Sequence, residues 1–535
     1  MDKLMERRSI GNKAMVSSGK AQASQIGIDI LKKGGNAIDA AVAVGFALGV
    51  CEPATSGLGG GGFMTIVTPA IGKPIFVDFR EAAPEKASPH MWEIGDDGKV
   101  VNRENAIGAK SVSTPGEVAG MIYALEKYGT MNLAEVMEPA IRLAEEGIVV
   151  TKMMEGMLSE YAEHLGKSKD ASRIFLRNNN YYKAGDIFTN VDLANSLREI
   201  STGGKEKFYR GKIADAIIET INDKGGIMTH NDLKKYEVEL KKPVIGSYRG
   251  YKIISSPPPS SGGTHIIQTL NILERFDVGK LEVNSCEYLH LFSEVFKLSY
   301  ADRVKFMGDT NFVDVPLNGL GSKEYAKILS NRIDPNRSQN PNIYDPWTYE
   351  HHDTTHYSIA DSEGNLVSVT KTINHFFGSC LVAKDTGILL NDTMADFSIK
   401  RNDVNSVDSG KKSLSTMAPT IILKDDKPFA VIGSPGGARI INIVVQVISK
   451  LIDHDMDIQD AISSPRITQN TSNDMFYEDR ISNSVIDKLS NMGHDMKKRL
   501  PWDKKMGGVN GIRFMEDGTI IGGADPRRDG KAMGL

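Results

Sequence analysis

The sequence has few cysteines for its length. Only three occur among 535 residues, Cys51, Cys286 and Cys380, and no CxxC spacing is present. A disulfide framework or a cysteine-rich zinc site needs more thiols at closer spacing. We therefore predict buried, idle thiols. No residue pattern in the sequence requires a metal ion or an organic cofactor.

An excess of charge of either sign is also missing. The formal net charge is −4, and charged residues make up 25% of the chain. Binding a polyphosphate requires a basic surface, and the lysine pairs at residues 241–242 and 411–412 are short and isolated. We interpret these pairs as solvated surface and predict no nucleic-acid partner.

Long hydrophobic runs are absent as well. No stretch approaches the about 18 uninterrupted apolar residues that a membrane-spanning helix requires. The charged residues 1–8 are not followed by the apolar core of a secretory signal. The sequence thus predicts no membrane partner and a cytoplasmic location, unless a leader has been removed from a longer form.

What is present is enough for a large buried core. The length allows two to four units, or one large α/β domain with additions. Apolar residues at helical spacing predict a helix over residues 21–33 that ends at Gly34. Asn36 then caps a predicted second helix over residues 37–48, whose Ala and Val residues on nearly every side indicate complete burial.

A glycine-rich run follows that helix. Residues 56–64 read SGLGGGGFM and formally contain GxGxxG. A dinucleotide-binding fingerprint has a strand before the glycines and a helix after them, whereas here a helix precedes and a predicted strand over residues 63–67 follows. We reject dinucleotide binding. The glycines instead allow the backbone to approach another backbone segment or a ligand closely.

Arg80 follows a short predicted strand over residues 75–79. An arginine at the end of a strand usually forms a surface or structural ion pair, and a functional role is the alternative. The local sequence leaves both interpretations open.

A hairpin is predicted late in the chain. Residues 309–350 are rich in Asn, Pro and Asp, which predicts an irregular segment that is easily cut or moved. Predicted strands over residues 355–361 and 365–373 then follow, joined by a three-residue loop that ends in Gly364. This turn pairs Asp361 with Asn365, and the same register places Thr372 opposite Thr354.

Thr354 is a candidate nucleophile. A hydroxyl needs a base, and a break between Asp353 and Thr354 would release an α-amine with a pKa of about 7.7–8.0 beside it. The hydroxyl of Thr372 would be within hydrogen-bond reach, and Asn374 lies on the same face of the strand. The alternative is that Thr354 is an ordinary strand residue.

A second glycine turn reads GSPGGAR at residues 433–439. It lies between a predicted strand over residues 429–432 and a predicted helix over residues 440–452. Amides at such a turn are suited to holding an oxyanion, and a plain glycine turn is the alternative. Further polar groups come from two other segments. Residues 413–419 are rich in hydroxyl groups, and Asp396 lies in the loop after a predicted strand over residues 387–391.

These motifs occur together in the order found in one known family. The segments GGNAIDAAVA, SGLGGGGFM, VDFREAAP, SSPPPSSGG, SYADR, DTTHYS, LNDTMADFS, SLSTMAPT, GSPGGARI and GGADPRRDG resemble the γ-glutamyltransferase family of N-terminal nucleophile hydrolases, across nearly the whole chain. The resemblance implies an α/β fold, a four-layer αββα sandwich. It also implies a precursor that cuts itself between Asp353 and Thr354, after which chains 1–353 and 354–535 remain together in one intertwined domain.

The resemblance further implies a role for each site residue. Thr354 would attack a γ-glutamyl amide such as glutathione, with its own α-amine as base and Thr372 helping to activate the hydroxyl. The acyl group would then pass to water or to an amino acid or peptide acceptor. The other implied roles are oxyanion binding by Gly436 and Gly437, binding of the substrate α-carboxylate by Arg80, Ser415 and Thr416, and binding of the α-amino group by Asn374 and Asp396.

Two departures from the family pattern bear on the substrate. Thr393 stands where many members have glutamine, and residues 399–412 form a shorter segment than the loop that covers the pocket in other members. An open pocket could admit larger acyl donors and favour water as acceptor. The alternatives are therefore an acylase for glutaryl or cephalosporin-type amides or for poly-γ-glutamate, and an unprocessed homologue without catalysis. A homo-oligomer is left open.

Overall fold

A computed structural model describes residues 6–177, 180–339 and 354–535 of the chain. Asp353, on the predicted cleaved bond, lies outside the described residues, as does the end of the polar segment predicted over residues 309–350. Across the three described ranges, no helix has both the length and the apolar composition that crossing a bilayer requires.

Two seven-stranded antiparallel sheets form the centre of the fold. The first, called here the hairpin sheet, contains from edge to edge Lys531–Gly534, Met15–Ser18, Thr355–Ala360, Leu366–Thr372, Gly61–Val67, Ile75–Phe79 and Glu239–Lys241. The second, called the opposing sheet, contains Ser9–Gly11, Ile520–Ala524, Asn510–Phe514, Lys427–Gly433, Thr420–Lys424, Tyr251–Ser255 and Val244–Tyr248.

The two sheets pack face to face through an apolar layer. Ala360 and Leu366 of the hairpin sheet are buried there against Ile421 and Val431 of the opposing sheet. Since successive residues of a strand point to opposite faces, the neighbouring Ile359 is buried on the other side of the hairpin sheet, against helices. The hairpin sheet is therefore buried on both faces.

Helices cover the outer faces of both sheets. Against the hairpin sheet lie Ala21–Lys32, Ala37–Cys51, Glu117–Tyr128, Leu133–Glu146, Lys152–Gly166, Lys169–Phe175, Val191–Gly203, Lys205–Tyr209, Lys212–Asn222 and His230–Lys235. Against the opposing sheet lie Gly262–Leu273, Cys286–Phe306, Lys323–Ser330, Ile440–Ile452, Ile458–Ser463 and Asn483–Asn491. The architecture is the predicted αββα sandwich.

Smaller elements surround the sandwich. A three-stranded sheet contains Ile467–Gln469, Asp474–Glu478 and Asp495–Arg499, and two ribbons pair Ile148–Val149 with Ile187–Phe188 and Leu176–Arg177 with Asn180–Tyr181. Short helical turns occupy Val101–Arg103, Ala109–Ser111, Val278–Lys280, Leu317–Leu320, Thr393–Asp396, Gly437–Arg439 and Lys504–Met506.

The predicted capped helix is present and ends three residues later than expected, as Ala37–Cys51. The side chain of Asn36 accepts hydrogen bonds from the amides of Ile38 and Asp39, at 2.8 and 3.0 Å. The Asp39 carboxylate in turn accepts from the Asn36 amide at 2.8 Å, which completes a capping box. Every residue of this helix is buried, as its composition predicted.

The predicted hairpin register is confirmed. The pairs run from Thr355 opposite Lys371 to Ala360 opposite Leu366, and the Asp361 amide donates to the Asn365 carbonyl at 3.2 Å. Gly364 has a φ of +82°, which glycine adopts without strain. One step beyond the paired residues, the same register puts Thr354 opposite Thr372.

The interpretation of residues 411–412 as solvated surface is wrong, because both lysines are buried. The ammonium of Lys412 lies 2.7 Å from the carboxylate of Glu239 and 3.1 Å from that of Asp78. The ammonium of Lys411 donates to two backbone carbonyls of its own loop. Lys411 therefore stabilises the loop internally, and Lys412 attaches residues 399–412 to the body of the protein.

The segment predicted to be irregular from residue 309 onward contains a helix, Lys323–Ser330. Ser322 caps it by accepting a hydrogen bond from the Tyr325 amide at 3.1 Å. Only Ala326 and Leu329 supply a buried apolar face. This face is too short to stand out from the surrounding polar sequence.

The predicted close backbone approach of the first glycine run is confirmed. A Cβ atom placed on Gly60 would lie 2.1 Å from the carbonyl oxygen of Thr372, and one on Gly59 would lie 2.2 Å from that of Leu389. Real Cβ atoms do not approach a carbonyl oxygen so closely. These two glycines therefore allow the loop to pack against the residues that follow the hairpin.

We expect Gly60→Ala to lower the free energy of unfolding by about 1–3 kcal/mol, because the added methyl must displace the Thr372 carbonyl. Gly156→Ala is the matched control, since nothing lies within 4 Å of its Cβ position in the helix Lys152–Gly166. Alanine there should raise stability by about 0.5–1 kcal/mol. Equal urea midpoints for both variants would contradict the role given to Gly60.

Candidate active site

A pocket lies at the start of the hairpin, where it meets the second glycine turn and the hydroxyl-rich segment. It encloses about 390 Å³ of empty space, including the part open to solvent. Its lining contains most of the predicted site residues together with several others. The lining residues are Arg80, Arg303, Thr354, Thr372, Asn374, Asp396, Leu414, Ser415, Thr416, Met417, Gly437, Ala438 and Ile440.

Thr354 and Thr372 reach the pocket from adjacent strands of the hairpin sheet. Only 4% of Thr354 and 3% of Thr372 is exposed, so solvent reaches both mainly through the pocket. The hydroxyl of Thr372 accepts a hydrogen bond from the amide of Asn374 at 2.8 Å. This bond holds the hydroxyl at the end of its strand.

Asn374 has a left-handed backbone, with a φ of +78°. Asparagine tolerates this conformation better than most residues with a side chain. The amide nitrogen of its side chain donates to the Asp392 carbonyl at 3.2 Å. The backbone turn and this bond place the carboxamide in the pocket wall.

The second glycine turn has the predicted strand before it and the predicted helix after it, Lys427–Gly433 and Ile440–Ile452. Gly436 and Gly437 have φ values of +143° and +55°, which side chains rarely permit. Gly437 lines the pocket, and Gly436 lies immediately behind it in the turn. The turn thus presents backbone at the start of a helix, where anions are bound favourably.

Two hydroxyl groups hold this turn in place. Tyr300 donates to the carbonyl of Ala438, and Thr416 donates to the carbonyl of Gly437 at 2.7 Å. The proton of Thr416, which the family resemblance directs to a substrate carboxylate, is used for this bond. Thr416 therefore acts on the glycine turn.

Ser415 is held by the serine-rich loop before the helix Gly262–Leu273. Its carbonyl accepts hydrogen bonds from the amide and the hydroxyl of Ser261, each at 2.8 Å. Its own hydroxyl accepts from the Met417 amide at 3.1 Å, which leaves the hydroxyl proton for another acceptor.

Arg80 is buried, with 1% of its surface exposed, so the predicted structural ion pair is an internal one. Its guanidinium pairs with the carboxylate of Asp396, donates to Ser413 at 3.1 Å and lies 3.4 Å from Glu81. Its buried Nε–H has no hydrogen-bond partner among the residues described. A buried donor of this kind at a pocket is suited to an anionic ligand.

Glu81 adds a second carboxylate beside Arg80. Burial raises the pKa of Glu81, an effect that the neighbouring guanidinium opposes. Thr393 donates its hydroxyl to Glu81 at 2.9 Å and does not line the pocket. The residue that replaces the usual glutamine is therefore engaged with Glu81.

None of residues 399–412 lines the pocket. The segment is nonetheless fixed beside Asp396. The side chain of Asn405 donates to the Asp396 carbonyl at 2.7 Å and accepts from the Leu414 amide at 2.9 Å. This asparagine positions the loop that carries the carboxylate.

Arg303, which lines the pocket, and Tyr300, which donates to the lining residue Ala438, received no role in the sequence analysis. Both lie on the helix Cys286–Phe306, three residues apart, which puts them on one face. Arg303 donates from Nε to the hydroxyl of Ser261 at 2.9 Å and lines the pocket. The sequence feature that could have identified them is the segment SYADR, which entered the family resemblance only as a motif.

The chemistry available in the pocket is that of acyl transfer. It contains a candidate hydroxyl nucleophile, a neighbouring hydroxyl, a glycine turn at a helix start, and a cation paired with a carboxylate. Among the described residues, one group could hold a metal ion, formed by His290, Glu294 and His494. None of the three lines this pocket.

Comparison with known proteins gives concordant results. A family model described as gamma-glutamyltranspeptidase matches residues 23–535. The glutathione hydrolase proenzyme of Bacillus subtilis (strain 168) is 39% identical, with 98% of this chain and 92% of that protein covered. The glutathione hydrolase proenzyme of Escherichia coli (strain K12) is 40% identical, with 96% and 90% covered. The crystal structure of cephalosporin acylase from Bacillus halodurans superposes with a TM-score of 0.90 at 28% identity, with 99% and 97% covered.

Asn374→Ala is expected to be less stable than Asn374→Gly by about 1 kcal/mol, because only alanine meets the penalty for a left-handed backbone. Both changes delete the bond from the side chain to Asp392, so the difference between them isolates the backbone. Chemical unfolding of the two variants measures it. If Asn374→Ala were the more stable, the strained turn would be incorrect.

Proposed function

The chain belongs to the gamma-glutamyltranspeptidase family, and from this membership we propose that Thr354 is the nucleophile with which it hydrolyses and transfers γ-glutamyl amides such as glutathione. The observation that carries the proposal is the buried ion pair of Arg80 with Asp396, in the same pocket as Thr354. It combines the two charges that the head group of such a substrate requires.

The ion pair matches a zwitterion. A γ-glutamyl group ends in an α-carboxylate and an α-ammonium, so its carboxylate can take Arg80 while its ammonium takes Asp396. Each buried charge then exchanges one partner for another, and none is left uncompensated. Ser415, with a hydroxyl proton to donate, and Asn374 are placed to complete the two contacts.

The reaction follows from the arrangement around Thr354. In the processed enzyme the α-amine of Thr354 removes the hydroxyl proton, and the oxygen attacks the substrate's γ-carbonyl carbon. The amides of Gly436 and Gly437 stabilise the oxyanion that forms. The leaving amine departs with the proton, which gives a γ-glutamyl ester on Thr354. Water or an acceptor amine then attacks this ester and regenerates the free hydroxyl.

The amine that serves as base requires cleavage between Asp353 and Thr354. We assign the products as a large chain, residues 1–353, and a small chain, residues 354–535. The hairpin sheet supports their continued association, because strands that precede residue 354 lie beside strands that follow it on both sides of the hairpin. Cleavage would leave these hydrogen-bonded edges intact.

An acylase acting on a different side chain is the second candidate. The similarity in fold to the cephalosporin acylase of Bacillus halodurans supports it. A glutaryl group, however, has a carboxylate and no ammonium. It would compete for Arg80 and offer no ammonium to the Asp396 carboxylate in exchange, which argues for the γ-glutamyl donor.

Self-cleavage predicts two bands on denaturing electrophoresis of the incubated protein, and the small chain should begin Thr-Thr-His-Tyr. Thr354→Ala should stay full-length, because it lacks the hydroxyl that attacks the preceding bond. Thr355→Ser is the control, since it keeps the hydroxyl that donates to Glu52 and should be cleaved normally. A single wild-type band after long incubation would falsify this step.

Asp396→Asn should lower kcat/KM for γ-glutamyl-p-nitroanilide by about 100-fold or more. The substrate's α-ammonium would then lack its carboxylate partner, and leaving a buried charge uncompensated costs about 3–5 kcal/mol. The exposed Asp408→Asn, on the neighbouring segment, is the matched control and should retain activity. Activity on glutaryl-p-nitroanilide is measured in parallel. Unchanged γ-glutamyl activity in Asp396→Asn, or a wild-type preference for the glutaryl compound, would favour the acylase.

A further inference from the structure

A second buried polar cluster lies apart from the pocket. His290 and Glu294 are four residues apart on the helix Cys286–Phe306, so they share one face. His494 reaches them from the loop before the strand Asp495–Arg499. The Nδ1 atom of His290 lies 2.8 Å from Nε2 of His494, which lies 4.0 Å from Oε1 of Glu294.

The hydrogen bonds of His290 determine which nitrogen carries its proton. Its Nε2 atom lies 2.8 Å from the backbone carbonyl of Asp334, which can only accept. Nε2 must therefore donate, and Nδ1 of the neutral ring presents a lone pair. That lone pair points at His494.

The tautomer of His494 follows from its neighbour Ser293. The side-chain amide nitrogen of Gln469 faces two carbonyls, so its Oε1 is the acceptor for the hydroxyl of Ser293 at 3.1 Å. With its proton used there, Ser293 accepts from Nδ1 of His494 at 3.4 Å. Nε2 of His494 then also presents a lone pair.

Two lone pairs 2.8 Å apart require a positive species between them. A shared proton would satisfy the two nitrogens alone. It would leave Oε1 of Glu294 outside the contact, held only in its ion pair with Lys297 at 2.5 Å. A metal ion would use all three atoms.

We propose that Nδ1 of His290, Nε2 of His494 and Oε1 of Glu294 bind a divalent transition-metal ion, with Zn²⁺ the best match to two imidazoles and a carboxylate. Ligand atoms about 2.0–2.1 Å from a tetrahedral zinc lie about 3.3 Å apart. The separations of 2.8 and 4.0 Å bracket that value. No sequence motif predicts this site, because His494 lies 200 positions after Glu294.

The surroundings resemble the outer shell of a metal site. Each histidine donates its other ring N–H to an oxygen, His290 to Asp334 and His494 to Ser293, as metal-bound histidines usually do. Lys297 would have to leave Oε1 of Glu294, which it approaches to 2.5 Å. It has two other acceptors ready, the hydroxyl of Ser338 at 2.9 Å and the Gln339 carbonyl at 2.6 Å.

The ion would also join the two proposed chains. His290 and Glu294 precede residue 354, whereas His494 follows it. After cleavage the metal would cross-link the large and small chains on the side of the molecule where residues 334–339 lie. This consequence rests on the proposed self-processing, whereas binding of the ion does not.

The test uses the full-length protein, without a polyhistidine tag, stripped with chelator and equilibrated with Zn²⁺. Metal analysis should find about one equivalent per chain, and Tm should rise by about 2 °C or more because the ion binds only the folded state. Substituting Co²⁺ should produce visible d–d absorption bands.

His494→Gln should lose the metal, the Tm increase and the cobalt bands together, and Glu294→Gln should weaken all three. The exposed His230→Gln is the control and should match the wild type. Wild-type protein that retains less than about a tenth of an equivalent and shows no cobalt bands would overturn the proposal and leave a shared proton between the histidines. Equal metal content in the wild type and His494→Gln would overturn it too, whether or not the chain cleaves itself.

Discussion

The register of one hairpin determines where the chemistry of this protein can occur. A strand shifted by one residue points every side chain to the opposite face of its sheet. In the observed register Thr372 reaches the pocket, while its neighbour Lys371 enters the helical layer and pairs there with Glu117, both completely buried. A slip would bury Thr372 among helices and place an ammonium beside Thr354. The turn at Gly364 and the Lys371 ion pair lie at opposite ends of the strand Leu366–Thr372, and both therefore stabilise the observed register.

The second constraint is the number of charges that the fold places out of water around this hairpin. Arg80 is flanked by Asp396 and Glu81, and Asp78 is flanked by Lys241 and Lys412. Taking charges out of water is costly unless each has a partner with good geometry. The partners come from strands and loops far apart in the chain, so these charges can be compensated only when the whole sandwich is assembled. A pocket whose own charges are already paired can then accept a ligand that offers one charge of each sign.

Much of this architecture was predictable because local rules and tertiary structure agree. The capping box at Asn36, the Gly364 turn and the strand-to-helix turn at Gly437 each carry a residue type that their backbone requires. The predictions were wrong where burial depended on remote partners. Lys412 has no local feature that distinguishes it from a surface lysine, since its carboxylate partners lie at positions 78 and 239. The engagement of Thr393 with Glu81 and of Thr416 with Gly437 depends likewise on packing between distant segments.

Residues 399–412 and the proposed head-group site bear on two different aspects of specificity. Residues 399–412 are held in place by Lys412 and Asn405, and none of them lines the pocket. Loss of a cover changes how freely water, acceptors and bulky leaving groups reach Thr354. It does not change the proposed requirement at Arg80 and Asp396, which are both buried. With these two residues holding the head group as proposed, the enzyme would be permissive toward the group attached to the γ-amide and would still select a zwitterionic head group.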